Sequence, residues 1–227
     1  MPTNRFKVIN FKEDIFSLCL MSLLVLVFLH NGLFPIAGSQ VLSSQYTDGR
    51  SEFYPNQSFG FGALSEGIIP LWNPYVFSGM PYFATIKNGI FYPLNFLYLI
   101  LPVGSAINWT IALHMLLSGI TMYYLLKHYG TGCFGATIAG IVYTYSAPHI
   151  MHIYPGHPNL LATTAWMPLA FLFLDRLIRR EGVKYGFWLS IIIALELLAG
   201  YPQHLLYILL ALSFYLLFSL AWLRIDG

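Results

Sequence analysis

The sequence has 227 residues, of which 57% are hydrophobic and only 9% carry a formal charge, and its mean hydropathy is +0.66. Soluble domains usually contain about 25% charged residues, and disordered chains combine low hydropathy with high net charge, so both classes are excluded. A net charge of +2, with basic residues scattered among apolar runs, also argues against a nucleic-acid partner. The composition therefore predicts an all-α membrane protein with several spans.

The first predicted span covers residues 15–37 and follows a short cytoplasmic tail, residues 1–14. A signal peptide is the alternative, but the apolar run exceeds the usual length of roughly 7–15 residues and lacks a clean cleavage site. Residues 38–102 form a long outer loop, because no window in them is long and apolar enough to span. Within this loop, residues 90–101 are apolar but too few to cross, and we expect them to be interfacial or re-entrant.

Five further spans are predicted within residues 103–223, namely 103–126, 133–145, 160–178, 185–199 and 205–223. Together with the first they give six transmembrane helices, and we treat residues 1–227 as one transmembrane domain. With a cytoplasmic N-terminus, nine of the 11 basic residues lie inside, and only Arg50 and Lys87 lie outside. This distribution follows the positive-inside rule. The long loop and the turns at residues 148–158 and 200–204 then face outward.

Histidines are concentrated at this predicted outer face, where His149, His152, His157 and His204 lie. Metal ligation, phosphate binding and contact with lipid headgroups all suit such imidazoles, and the sequence leaves these interpretations open. The spacing gives one helical pair at best, His149 and His152, with no adjacent carboxylate, and does not support a zinc site. We therefore predict no cofactor and assign no metal ligands.

Acidic side chains are scarce at the outer face, and three of them are candidates for a functional role. Asp48 and Glu52 are four residues apart, so a helix would place both on one face. Alternatively, Asp48 or its neighbour Thr47 caps the N-terminus of that helix. Glu196 lies within the fifth predicted span, where an ionisable residue is costly and is a functional hypothesis by default. The alternative for Glu196 is a side chain that reaches water at the nearby interface.

Residues 69–82 form the most distinctive local pattern, in which three prolines and one glycine separate aromatic side chains. Proline and glycine fix an irregular backbone at such positions. Aromatic rings with a polar edge settle at the level of lipid headgroups. The pattern therefore predicts a rigid aromatic loop at the outer interface.

Several motifs resemble those of the YfhO-like bacterial membrane proteins, which are grouped with the GT-C superfamily of glycosyltransferases that use lipid-linked sugars. They are Asp48, Pro-Leu-Trp-Asn-Pro-Tyr (70–75), Phe-Ser-Gly-Met-Pro (77–81), Phe-Tyr-Pro-Leu-Asn (91–95), Gly-His-Pro-Asn (156–159), Trp-Met-Pro-Leu (166–169), Asp175-Arg176 and Gly-Tyr-Pro-Gln-His (200–204). The resemblance covers nearly the whole chain. Family members are longer, so we expect this chain to be an N-terminal portion. They commonly carry Gly-His-Pro-Gln where this chain has Gly-Tyr-Pro-Gln.

The resemblance implies a transferase at the outer face of the bacterial cytoplasmic membrane. Its donor would be a polyprenyl-phosphate sugar, and its acceptor a cell-envelope glycan, a teichoic acid or a protein. An acid of the first outer loop acts as the base in such enzymes, and Asp48 matches it by position, with Glu52 as the second catalytic candidate. Cations stabilise the departing phosphate. Substrate-binding candidates are Arg50, Trp72, Asn73, Lys87, His157, Glu196 and His204.

A non-catalytic protein is the alternative: one that binds or transports lipid-linked sugars, or organises envelope assembly, through the same outer groove. A transporter is expected to contain internal repeats and broken helices near the midplane. The sequence has no clear repeat, although the motifs at 156–159 and 200–203 begin successive outer-to-inner spans in a similar way.

Overall fold

The computed structural model describes residues 11–35, 41–44 and 46–225. Helices account for 74% of these residues, so the described part of the protein is nearly all-α, as the composition predicts. The predicted tail up to residue 10 and the predicted end of the first span, residues 36 and 37, lie outside the described ranges. The α-helices within them are α1 (Phe11–Phe28), α2 (His30–Leu33), α3 (Tyr54–Ser65), α4 (Val103–His128), α5 (Cys133–Thr144), α6 (Ala147–Ile153), α7 (Pro158–Ile178), α8 (Lys184–Leu198) and α9 (Pro202–Ile225).

Three helices in the described part of the chain, α4, α7 and α9, are long and apolar enough to cross a membrane. They coincide with three of the predicted spans. The other three predicted spans also contain helices, but α5 and α8 have only 12 and 15 residues. Helix α1 has 18 residues and carries Glu13 and Asp14 in its first turn. The helical structure of all six segments is therefore found, whereas six membrane crossings stay a prediction.

Side-chain contacts fix the relative directions of the central helices. Helix α4 packs against α1, α5 and α7, and α7 packs in turn against α8 and α9. Both α1 and α5 run antiparallel to α4, whereas α7 runs parallel to it. The pairs that show this are Tyr123–Asp14 for α4 with α1, Asn108–Gly32 for α4 with α2, which follows α1 directly, Thr144–Met115 and Lys127–Cys133 for α5, and Thr121–Ala165 and His128–Asp175 for α7.

One buried carboxylate joins three helices at the end of the bundle where α4 and α7 terminate. Asp175 on α7 accepts hydrogen bonds from His128 (2.6 Å), Arg179 (2.5 Å) and Tyr215 (2.6 Å). These partners come from α4, from the end of α7 itself and from α9. A buried charge is stable only when it is paired and hydrogen-bonded, and this one is.

Residues 41–102, predicted as a loop, contain short ordered elements. A π-helical turn (Gly49–Phe53) leads into α3, and an antiparallel hairpin joins β1 (Trp72–Asn73) to β2 (Met80–Pro81). Two 3-10 segments follow, Ile86–Asn88 and Pro93–Leu99. Helix α3 has a proline and two glycines among its twelve residues, which disfavour a helix, so contacts with the rest of the protein must hold it.

Residues 90–101 turn into the bundle and return to the start of α4. The Tyr92 side chain is fully buried and bonds His114 on α4 (2.6 Å) and Trp166 on α7 (2.9 Å). Eleven residues separate His114 from the first residue of α4, which is about 16 Å of helix at 1.5 Å per residue. Residues 90–101 therefore pack deep in the bundle, as a re-entrant segment would, whereas their position in a membrane, interfacial or re-entrant, stays a prediction.

The backbone carbonyls just before this segment accept hydrogen bonds from buried amide side chains. Asn95 Nδ2 donates to the carbonyl of Gly89 (2.9 Å), and Gln57 Nε2 donates to the carbonyl of Asn88 (3.2 Å). Irregular backbone at membrane depth is tolerated only where its polar groups find partners within the protein. Asn95 and Gln57 supply such partners for the carbonyls of Gly89 and Asn88.

Candidate functional site

A small pocket lies at the end of the bundle opposite Asp175, where residues 48–57 and 87–88 meet the start of α7. Its volume is about 20 Å³, which is room for about one water molecule. Four of the predicted site residues line it, although they are far apart in the sequence. They are Asp48, Glu52, Lys87 and His157.

Asp48 and His157 form a hydrogen-bonded pair at the rim of this pocket. Nε2 of His157 lies 3.0 Å from Oδ2 of Asp48, and the Asp48 side chain is 62% exposed. Asp48 directly precedes the π-helical turn but makes no capping hydrogen bond. The capping alternative for Asp48 is therefore wrong, and its carboxylate is presented to the imidazole and to solvent.

Two glycines next to this pair allow the two backbone segments to touch. Gly49 donates a backbone hydrogen bond to the carbonyl of Pro155 (2.9 Å). A Cβ atom added to Gly156 would lie 2.3 Å from Cα of Gly49, and Gly156 adopts a φ of 80°. Only glycine fits such an approach without a shift of the backbone. The sequences Asp48-Gly49 and Gly156-His157 thus position the acid and the imidazole together.

Glu52 and Lys87 form a second charged pair in the pocket. Nζ of Lys87 lies 2.5 Å from Oε1 of Glu52, and both side chains are about half exposed. The backbone of Lys87 is held in place because its carbonyl accepts a hydrogen bond from Nδ2 of Asn159 (2.6 Å). Asp48 and Glu52, one helical turn apart, therefore both face the pocket, as their spacing predicts.

The remaining polar lining consists of amides and a phenol that were not among the predicted site residues. Gln57 is almost fully buried, and its Oε1 atom has no hydrogen-bond partner. Gln57 follows Asp48 on the same helical stretch. This position shortly after a predicted functional acid is the one sequence feature that could have indicated Gln57 as a site residue. The other members of this group are Asn56, Asn88, Asn159 and Tyr201.

Five predicted site residues lie outside the lining of this pocket. Arg50 is exposed on the π-helical turn. Trp72 is 55% exposed on the hairpin, whereas Asn73 is buried and accepts a hydrogen bond from the Tyr75 backbone (3.0 Å). Asn73 thus shapes the hairpin turn, and its role in substrate binding stays a prediction.

Glu196 is completely buried on α8, and neither of its carboxyl oxygens has a hydrogen-bond partner among the residues that the structure describes. Its backbone carbonyl accepts a hydrogen bond from Thr163, one turn beyond Asn159 on α7. The side chain therefore does not reach water, which excludes the alternative of a solvated carboxylate. An isolated buried charge is very unfavourable, so Glu196 has to be neutral or to receive a partner from outside the described residues.

The outer histidines lie near one another without forming a metal site. The ring centroid of His152 is 6.1 Å from that of His157 and 6.3 Å from that of His204. Among the described residues, no group of three or more His, Cys, Asp or Glu side chains is arranged to hold a metal ion. His149 lies apart, buried against Thr164, and burial lowers the pKa of this imidazole below its ordinary value.

The pocket combines groups that suit acid–base chemistry on a hydroxyl beside an anion. Asp48 can accept a proton, and His157 can share it through their hydrogen bond. Lys87, together with the nearby Arg50, provides positive charge where a phosphate would approach.

Comparison with protein-family models, with curated proteins and with solved structures finds no match to this chain.

Proposed function

We propose that the protein is a glycosyltransferase of the bacterial cytoplasmic membrane, with six spans and its N-terminus in the cytoplasm. It moves a sugar from a polyprenyl-phosphate donor to a cell-envelope acceptor at the outer face. The observation that carries this proposal is the presence of the Asp48–His157 and Glu52–Lys87 pairs in one pocket. The motif resemblance to the YfhO-like proteins and the GT-C superfamily supports the same class.

The six-span arrangement is supported by two independent features. Nine of 11 basic residues fall on one side when the spans alternate. The contacts of α4 with α1, α5 and α7 give these helices the directions that such alternation requires. The charged pocket then lies at the outer end of the bundle, where a lipid-linked donor and an envelope acceptor meet.

The reaction is a displacement at the anomeric carbon of the donor sugar. The bond from that carbon to the phosphate oxygen breaks, and a bond to the acceptor hydroxyl oxygen forms. Asp48 takes the hydroxyl proton as the general base. The lipid phosphate leaves with the electron pair, and Lys87, Arg50 and His157 stabilise its charge. Because the cavity holds about one water molecule, a single hydroxyl group enters it while the sugars stay at its open rim.

An Asp48→Asn variant tests this proposal in the native membrane. Asn keeps the shape of the side chain but cannot accept the proton, so we expect the lipid-linked sugar to accumulate and the envelope modification to be lost. An exposed ion pair contributes only about 0–1 kcal/mol to stability, so the variant should remain folded. Glu66→Gln, an exposed acid at the end of α3 outside the pocket, is the matched control. Unchanged transfer in Asp48→Asn would refute Asp48 as the base.

A second candidate function, binding or transport of lipid-linked sugars without chemistry, is favoured by Glu196. A buried carboxyl group without a partner inside a helix bundle is typical of proton and ion pathways in transporters. If the envelope modification depends on neither Asp48 nor Glu52, whereas Glu196→Gln abolishes movement of the lipid-linked sugar across the membrane, this candidate replaces the transferase.

A further inference from the structure

The hairpin that contains β1 and β2 presents a large apolar surface to its surroundings. Its exposed large hydrophobic side chains are Phe77 (90%), Tyr75 (84%), Leu71 (65%) and Trp72 (55%). The twenty residues from 67 to 86 contain no Asp, Glu, Lys, Arg or His. An exposed apolar patch of this kind marks a contact with a membrane or a protein.

At the tip of the hairpin, where the Phe77 ring points outward, the backbone has an unusual conformation. Phe77 and Ser78 have φ angles of 49° and 60°, a conformation that is unfavourable for a bulky side chain. Packing within the protein does not explain it, because the Phe77 ring is almost wholly exposed. The turn closed by the Gly79 backbone N–H and the Val76 carbonyl (2.8 Å) gives both residues this conformation, and it leaves the Phe77 ring facing the surroundings.

The base of the hairpin, by contrast, is firmly fixed to α3. The Tyr82 hydroxyl donates to the backbone carbonyl of Asn56 (2.7 Å), and the Phe59 ring packs edge-on against both Tyr82 (5.1 Å) and Tyr75 (6.0 Å). A Cβ atom on Gly60 would collide with the Tyr82 ring. The hairpin is therefore a rigid projection whose apolar tip keeps a defined position.

The apolar surface of the hairpin continues into the re-entrant segment. The Phe83 ring contacts that of Phe91 (5.2 Å), and Phe91 directly precedes Tyr92, which reaches His114 about 16 Å along α4. Exposed apolar side chains then follow at Phe96, Leu99 and Ile100. Because α4 is one of the helices long enough to cross a membrane, this continuous surface lies at the level of the bilayer.

We propose that the hairpin is an interfacial anchor that inserts Phe77, Tyr75, Leu71 and Trp72 into the headgroup and upper acyl region of the outer leaflet. Tryptophan and tyrosine are favoured at this level, and the absence of charge allows insertion without ionic lipid partners. The anchor rests on the membrane placement proposed above, but not on sugar transfer. It holds α3 and residues 87–88, which line part of the charged pocket, close to the bilayer surface.

Fluorescence depth measurements test the anchor. The full chain, with Cys19→Ala and Cys133→Ser, carries an environment-sensitive probe at Phe77→Cys and is reconstituted in phosphatidylcholine vesicles. We expect emission shifted to shorter wavelength, quenching by lipids with brominated acyl chains and protection from aqueous iodide. Phe214→Cys, exposed on α9, is the control for lipid contact. Glu66→Cys, exposed beside the hairpin, is the control for water contact.

Two results would overturn the proposal. Quenching by iodide, as at Glu66→Cys, would place the tip in water. Protection from both quenchers would mean that another protein surface covers it. A second measurement needs no cysteine changes, because the difference spectrum between wild type and Trp72→Phe isolates the emission of Trp72, which brominated lipids should quench. These depth measurements are independent of the Asp48→Asn transfer assay, so failure of one proposal is distinguishable from failure of the other.

Discussion

The hydroxyl of Tyr92 lies 2.6 Å from Nε2 of His114 and links the re-entrant segment to the centre of α4. The two groups belong to a complete chain of hydrogen bonds. Trp166 Nε1 donates to the Tyr92 hydroxyl (2.9 Å), which donates to His114, whose Nδ1 donates to the carbonyl of Thr110 (2.6 Å). Every member is satisfied, so this neutral network can lie between helices without a desolvation cost.

Tyr92→Phe should destabilise the protein by about 1–3 kcal/mol, because it leaves the buried acceptor of His114 and the donor of Trp166 without a partner. Thermal unfolding in detergent measures the loss. Tyr207→Phe is the matched control, since the Tyr207 hydroxyl also accepts a side-chain hydrogen bond, from Gln203, but lies on an exposed surface. If both variants unfold at the wild-type temperature, the network does not hold the re-entrant segment.

Gly156→Ala should disrupt the Asp48–His157 pair, because its Cβ atom would lie 2.3 Å from Cα of Gly49. The substitution also places alanine at a φ of 80°, which by itself costs roughly 1–2 kcal/mol. Gly130→Ala separates the two effects, since Gly130 has a φ of 83° with nothing within 4 Å of the added atom. We expect a greater loss of thermal stability, and of sugar transfer, in Gly156→Ala. Equal losses in the two variants would contradict a close contact between the backbones.

The long apolar helices could be predicted from sequence, whereas the pocket could not be assembled from it. Apolar runs specify α4, α7 and α9 locally, because their burial in protein or lipid follows from composition. The pairing of Asp48 with His157 joins positions 109 residues apart, and it depends on the contact between Gly49 and Gly156. The sequence predicts a loop at α3 because its local helix preference is weak, and tertiary contacts override that preference.

The residues of the predicted site also divide into those that the sequence could group together and those that only the fold brings together. Asp48 and Glu52 could be grouped from their spacing, since four residues make about one helical turn. The buried amide of Gln57 could not be distinguished from other loop polar groups, because its burial arises only when the 3-10 turn at Ile86–Asn88 packs over it. The proximity of Lys87 to Glu52 likewise follows from that packing.

Asp175→Asn should destabilise the end of the bundle that carries the hydrogen bonds from His128, Arg179 and Tyr215. Removal of the charge leaves these donors around a weaker acceptor, and breaking a buried pair costs about 3–5 kcal/mol. Glu181→Gln is the control, because Glu181 lies 3.7 Å from Arg176 in a looser, half-buried pair, for which about 0–1 kcal/mol is expected. Unfolding in denaturant measures both, and equal effects would show that the Asp175 cluster does not join the helices.

His149, on α6 between α5 and α7, makes the stability of the protein depend on pH. Burial lowers the pKa of its imidazole in the folded protein, whereas the same imidazole in the unfolded chain has an ordinary pKa of about 6.5. The unfolded chain therefore binds a proton more readily than the folded chain does. The stabilisation is complete above the unfolded pKa and is lost as the pH falls from there toward the folded pKa. His149→Gln retains a polar group opposite Thr164 without this titration. Its unfolding temperature should therefore decline less than that of the wild type between about pH 7 and about pH 5, and parallel curves for the two proteins would exclude His149 as the source.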